Sequence, residues 1–281
     1  NNGGAEGVLY RLCTSDKKSK HSVISLMDEG KYGPLLTQSG VTVVCLNMPQ
    51  GGISFSGFLR LWGLLRAQKP DVVQTWMYHA DLIGGIATVL SGVSKIFWGI
   101  RNSTLDPLSS RRSTILVMRL CAWLSNIIPR KIICCADKAL KVHLELGYAA
   151  NKLSVIYNGY DLSRFELNEV ERLRLRNDWT IDHLSVLGVV ARFDPVKDHK
   201  NFLEALNLLK KRGVTFVAIL IGEQIDSGNA QLFGWMQQLD LIDCVRLLGP
   251  RSDIPAVMNA LDIHVLSSSA EAFPNVVAEA M

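Results

Sequence analysis

Hydrophobic and polar positions along the chain fall into two alternating registers. Short apolar runs occupy positions 22–27, 41–48, 71–77, 95–100, 131–136 and 152–157, each of strand length and rich in β-branched residues. Between them lie stretches with helical spacing at 4–14, 34–39, 55–68, 81–90, 111–126 and 137–146. In the third, Phe58, Leu61, Trp62 and Leu65 recur at i, i+3, i+4 and i+7, the spacing of one helix face. A polar, charge-rich segment at 158–183 follows, with a helical pattern at 168–177 inside it. The alternation then resumes with strands at 185–191, 216–221, 245–248 and 263–266 and helices at 199–212, 229–239 and 253–260. Strand and helix in strict alternation predict right-handed βαβ crossovers and parallel sheets covered on both sides. The interruption at 158–183 predicts two such units, 1–165 and 166–281. The start on a glycine turn running into a helix, and the stop just inside a helix expected near Phe273, suggest a sequence trimmed at both ends.

Composition narrows the class. A length of 281 residues fits about two domains. A net charge of +4, spread along the chain and without a recognition motif, argues against nucleic acid as a partner. The six cysteines lack metal-type spacing, and most lie in apolar surroundings, as in a cytoplasmic protein with reduced thiols. Asn102-Ser-Thr104 matches a glycosylation sequon but has no signal peptide before it. No apolar run reaches the ~20 residues of a membrane span. The stretch 111–126 is amphipathic and basic, with Arg111, Arg112 and Arg119 among leucines, Met118 and Trp123. Its plainer reading is a core-facing helix with a solvated arginine edge; a peripheral contact with anionic lipid is the alternative.

Three segments carry chemistry. Arg192 follows an apolar strand and Lys197 comes five residues later, on the turn before a helix; two cations so placed suit a diphosphate. Gly3 and Gly4 open the first helix and allow close backbone approach to a ligand. Glu271 and Glu279 flank a Phe-Pro-Asn turn after a strand and three serines, and ionised carboxylates there accept hydrogen bonds from vicinal hydroxyls. Taken singly, each has an ordinary structural reading as a loop, a turn or a solvated helix face.

Together and in this order, the segments resemble family 4 of the retaining glycosyltransferases, which have the GT-B fold: two Rossmann-like α/β domains facing across a cleft. The resemblance rests on Gly3–Glu6, on Arg192 with Lys197, and on Glu271-Ala-Phe-Pro-Asn-Val-Val-Ala-Glu279. Lesser matches are Asn158-Gly-Tyr-Asp161, Gly222-Glu223 and Gly249-Pro-Arg-Ser-Asp253. It implies that the enzyme moves a sugar, with retention, from a nucleoside-diphosphate donor (a UDP-sugar favoured) to a saccharide or lipid-linked hydroxyl acceptor. The setting it implies is bacterial polysaccharide or glycolipid synthesis. Arg192 and Lys197 would hold the diphosphate and stabilise its departure, Glu279 would take the ribose, and Glu271 the transferred sugar. Phe273, Pro274, Asn275 and Val276 would help from the backbone, Gly4 would approach the diphosphate, and His79, on the loop 75–81, would lie near the donor sugar. No metal or other cofactor is implied, and the chain has no Asp-x-Asp motif. Two departures stand out: Ala272 replaces the usual glycine, which would be strained if that position needs positive φ, and Tyr160 replaces a small apolar residue. Competing classes are a GT-B sugar-nucleotide epimerase, which would not normally combine these motifs, and a non-catalytic two-lobed sugar-binding protein. A dehydrogenase would show a G-x-G-x-x-G fingerprint, which is missing.

Overall fold

In the computed structural model of the chain, the described residues are 4–49, 52, 54–102, 112–181 and 183–281. They form two compact units, Asn1–Gly159 and Tyr160–Met281. Every strand pair in both units is parallel.

The first unit runs α1 (Gly4–Ser15), β1 (Ser22–Ser25), α2 (Tyr32–Gln38), β2 (Thr42–Cys45), α3 (Phe55–Gln68), β3 (Val73–Trp76), α4 (Tyr78–Leu90), β4 (Ile96–Ile100), α5 (Arg112–Leu124), β5 (Lys131–Cys134), α6 (Asp137–Glu145) and β6 (Leu153–Val155). β1 and β2 pair with each other, and β3-β4-β5-β6 form a second sheet in chain order. The pair and the sheet are joined through side chains: Leu46, Met48, Leu61, Leu65, Ile83 and Ala87 form one apolar cluster with Ile24 and Val73. The main core lies over β4 and β5, where Ile96, Trp98, Ile100, Ile132 and Cys134 are buried against α4, α5 and α6. α3 begins where Ser54 accepts a hydrogen bond from the Gly57 amide at 3.1 Å, satisfying one of the helix's orphan donors.

The second unit contains α7 (Glu169–Asp178), β7 (Ser185–Val190), α8 (His199–Lys211), β8 (Phe216–Ile221), α9 (Ala230–Gln238), β9 (Val245–Leu247), α10 (Ile254–Ala260), β10 (Ile263–His264) and α11 (Asn275–Ala280). Its strand order is β10-β7-β8-β9. β8 is apolar at every position, so it cannot lie at an edge or face water. Phe216, Ala218 and Leu220 enter a core with Phe202, Leu206 and Leu232 of α8 and α9. Val217, Ile219 and Ile221 point the other way, into a core with Leu175, Trp179, Val257 and Ala260 around α7 and α10. Gly188 lets α10 approach β7, since a Cβ there would meet Leu261 Cδ1 at 2.3 Å.

The chain steps outward from β7 to β8 to β9, then returns to the opposite side of β7 for β10. The strand order therefore reverses between β7 and β10. In open parallel sheets this reversal opens a crevice beyond the carboxyl ends of the two strands, where ligands bind.

Candidate functional site

Arg192 and Lys197 follow the carboxyl end of β7, and Glu271 follows that of β10, so the reversal point gathers residues about 75 positions apart in sequence. The main chain of Arg192 is fixed from two sides. His199, 2% exposed, bonds through Nε2 to the Arg192 carbonyl at 3.0 Å and stacks on Phe193. Burial lowers the His199 imidazole below the usual histidine range, and because a carbonyl oxygen only accepts, Nε2–H is the donor. Behind Arg192, Gly222 leaves no room for a side chain: a Cβ there would sit 2.1 Å from the Ala191 carbonyl oxygen and 2.8 Å from the Arg192 amide nitrogen.

Lys197 stands on a 3₁₀ turn, Pro195–Lys197, capped by Asp194, whose Oδ1 accepts from the Val196 amide at 3.0 Å. The same carboxylate takes the Arg192 guanidinium at 2.9 Å, and together these contacts hold it below the ordinary aspartate range despite the opposing effect of burial. The serines after β10 brace this turn. Ser267 Oγ donates to the Lys197 carbonyl at 2.7 Å, and the Ser269 amide donates to the Val196 carbonyl at 2.9 Å. Lys197 Nζ in turn donates to Glu271 Oε1 at 2.5 Å, with both side chains only about one-fifth exposed, at 22% and 20%. Two cations and two carboxylates thus form a near-neutral, pre-arranged polar patch. The Arg192–Asp194 pair is its looser half, because the arginine side chain is 52% exposed.

Past Glu271, the turn Phe273-Pro274-Asn275 leads into α11, which carries Val276 and Glu279. The Tyr160 hydroxyl donates to Asn275 Oδ1, and the two rings of Tyr160 and Phe273 stack at 6.2 Å between centroids. Tyr160 thereby props the turn between the two glutamates, which gives this departure from the family pattern a structural consequence. Ala272 is not among the described residues with positive φ, so it carries no strain of the kind expected there.

Two expected site residues lie in the first unit. Gly4 is the exposed first residue of α1, and Gly3 lies outside the described residues. His79 is not on a strand-end loop: it is in the first turn of α4, which begins at Tyr78. The helix starts three residues earlier than expected because Met77, at φ 74°, turns the chain directly off β3. Among the described residues, His79 Nε2 is buried without a hydrogen-bond partner. Nearby strand ends supply a further cation. The Arg101 guanidinium lies 4.1 Å over the Trp76 ring, and its Nη1 donates to Asn158 Oδ1 at 2.6 Å.

Among the described residues, no group of three His, Cys, Asp or Glu side chains is placed to hold a metal ion. An open hollow of about 490 Å³ in the second unit, lined by Arg164, Glu171, Asp253 and Asn259, contains none of the expected site residues.

Two Rossmann-like α/β units, the second with cations and carboxylates at its strand-order reversal, define a protein of the GT-B class. Residues 2–164 match Glycosyltransferase Family 4, and residues 172–281 match Glycosyl transferases group 1. The chain belongs to Glycosyltransferase Family 4. It is 27% identical over 234 residues to the UDP-Gal:alpha-D-GlcNAc-diphosphoundecaprenol alpha-1,3-galactosyltransferase of Escherichia coli, over 79% of this chain and 58% of that protein. It is 24% identical over 275 residues to the N,N'-diacetylbacillosaminyl-diphospho-undecaprenol alpha-1,3-N-acetylgalactosaminyltransferase of Campylobacter jejuni, over 94% of this chain and 71% of that protein. The fold matches the crystal structure of Anabaena Alr3699/HepE in complex with UDP-glucose with a TM-score of 0.85 and 23% identity, over all of this chain and 75% of that one. The chain thus spans 58% of the length of its Escherichia coli relative.

Proposed function

We propose that the chain carries the donor site of a retaining glycosyltransferase that moves a sugar from a UDP-sugar to a hydroxyl of a saccharide or lipid-linked acceptor. The observation that carries this reading is the contact of Lys197 with Glu271 at the β7/β10 reversal, beside Arg192. In transfer, the bond from the anomeric carbon to the diphosphate oxygen breaks and a bond to the acceptor oxygen forms. The acceptor's proton passes to the departing phosphate. Negative charge grows on that phosphate, and fixed cations already facing it lower the barrier without reorganising. Arg192 and Lys197 are those cations, and no metal or other cofactor is part of the reading. Glu271 serves the transferred sugar, Glu279 the ribose hydroxyls, and the backbone from Phe273 to Val276 the sugar and phosphate; Gly4 and His79 contribute from the first unit.

The names of the relatives support the donor and acceptor classes. One takes UDP-Gal, HepE holds UDP-glucose, and two act on diphosphoundecaprenol-linked sugars. Bacterial polysaccharide or glycolipid synthesis at the inner face of the cell membrane suits such acceptors. Among the described residues, no helix is long and apolar enough to cross a membrane, so the reading includes a peripheral contact.

A thermal-shift screen against UDP-, GDP-, ADP- and dTDP-sugars tests the donor, because a ligand at 100 times its Kd stabilises by about 2.7 kcal/mol. UDP-sugars should raise the melting temperature; a rise with none of the four would overturn the reading. Glu279→Ala should weaken donor binding by about 3- to 10-fold, the loss of one or two hydrogen bonds to hydroxyls. Calorimetry showing unchanged affinity would remove Glu279 from the ribose role.

A further inference from the structure

Side chains tie the turn between Glu271 and α11 at both ends. At its start, Lys197 Nζ donates to Glu271 Oε1 at 2.5 Å. At its far end, the Tyr160 hydroxyl donates to Asn275 Oδ1, and the Tyr160 ring stacks on Phe273 with 23° between the planes. Tyr160 is the first residue of the second unit, so one side chain at the entry to the unit grips the turn on either side of Pro274. Pro274 itself, at the N-cap of α11, has no side-chain acceptor with which to fix the start of the helix. The small apolar residue that the family pattern places at position 160 could make neither contact.

The two ties respond differently to an arriving donor. A diphosphate carries more negative charge than one carboxylate and competes for Lys197, so Glu271 loses its partner as the donor binds. Tyr160 and Asn275 are both neutral, and the same charge leaves their bond in place. Both residues are half-buried, so in the ligand-free protein water can replace the hydroxyl at Asn275 and the bond adds little to folding. Once Lys197 has moved to the phosphate, the same bond holds the turn where the sugar meets it. Tyr160 therefore counts for more in binding than in stability.

We propose that Tyr160 is a positioning residue for the donor sugar, acting through Asn275 and Phe273. The role rests on the donor reading above, and the test separates the two. The full chain is titrated by calorimetry with UDP, UDP-glucose and UDP-galactose, alongside melting curves. Tyr160→Phe keeps the ring and removes the hydroxyl. It should raise the Kd of the UDP-sugar that binds wild type best by about 3- to 10-fold, the loss of one neutral hydrogen bond. The Kd of UDP alone should change less than about twofold, because Glu279, Arg192 and Lys197 still hold the ribose and phosphates. The ligand-free melting temperature should stay within about 2 °C of wild type. Asn275→Ala should weaken the same UDP-sugar to a similar degree, and the double variant no further, since the two side chains share one bond. An unchanged UDP-sugar Kd in Tyr160→Phe, an equal loss for UDP alone, or a full further loss in the Asn275→Ala background would overturn the role of Tyr160 and leave the donor reading standing. A wild type stabilised by none of the three ligands would overturn the donor reading, and the role of Tyr160 with it.

Discussion

Lys197→Ala should lower kcat/KM for sugar transfer by about two to three orders of magnitude, the usual effect of removing one fixed donor to a developing anion. Melting should shift by only a few degrees. The Lys197–Glu271 pair is partly exposed, and removing one partner from such a pair costs about 1 kcal/mol. The turn itself is held by other groups, since Asp194, Ser267 and Ser269 brace it through backbone atoms that the substitution leaves in place. Steady-state kinetics with a UDP-sugar, paired with a melting curve, read both quantities. Turnover like that of wild type would remove Lys197 from the diphosphate.

Glu271→Gln refines the same test. Before a donor arrives, Glu271 and Lys197 neutralise each other at 2.5 Å. A diphosphate would draw Lys197 away and leave the carboxylate facing the sugar. If Glu271 serves only to place Lys197, its effect should vanish in the Lys197→Ala background, because a double-mutant cycle cancels a shared role. If Glu271 also binds sugar hydroxyls, Glu271→Gln should reduce transfer further in the Lys197→Ala background. Arg192 should respond differently from Lys197. Its pair with Asp194 is largely solvated, so it is the more easily drawn onto a phosphate, and Asp194→Asn should change the donor KM more than the melting temperature.

Much of this arrangement is legible in the sequence because it depends on local pattern. The apolar run of β8 specifies a strand buried on both faces, and the 3.6-residue period sets α3 to its observed limits of Phe55–Gln68. Arg192, Lys197 and Glu271 can be placed at strand ends from their positions after apolar runs. What the sequence does not disclose depends on partners far along the chain. Two of the three serines, Ser267 and Ser269, become braces only when β10 returns beside β7 and brings them to the Lys197 and Val196 carbonyls. His199 has no signal beyond its place in a polar segment, since its role is a bond to the backbone seven residues earlier. Tyr160 acts on Asn275, which is 115 positions away. His79 belongs to α4 because a strained Met77 starts the helix early, and one unusual φ is invisible in composition. For α5, apolar periodicity identifies a helix, but only the packed unit shows which apolar positions were left outside.

Asp81 should contribute a fall in stability as pH rises between about 4 and about 8, and Asp81→Asn should remove that contribution. Asp81 lies in α4 with no exposed surface, and Thr75 Oγ1 bonds to its Oδ1 at 2.5 Å, while among the described residues Oδ2 has no hydrogen-bond partner. Burial pushes its pKa up to about 8, against the smaller opposing effects of the Thr75 hydrogen bond and the Gly99 amide. Lack of access to solvent excludes it from catalysis, so its effect is on folding. The folded pKa lies above that of the unfolded chain, so folding takes up a proton. The contribution is complete below about pH 4 and is lost as pH rises through about 8. Four pH units at about 1.4 kcal/mol each put the swing on the order of 5 kcal/mol. Asn resembles the protonated acid: its amide can donate to Thr75 Oγ1, whose own hydroxyl can then turn to the Phe97 carbonyl at 3.4 Å. The variant should therefore match wild type near pH 4 and exceed it by several kcal/mol near pH 8 in urea unfolding. Parallel wild-type and variant curves across that range would show that Asp81 is ionised in the folded protein and compensated by a group other than Thr75.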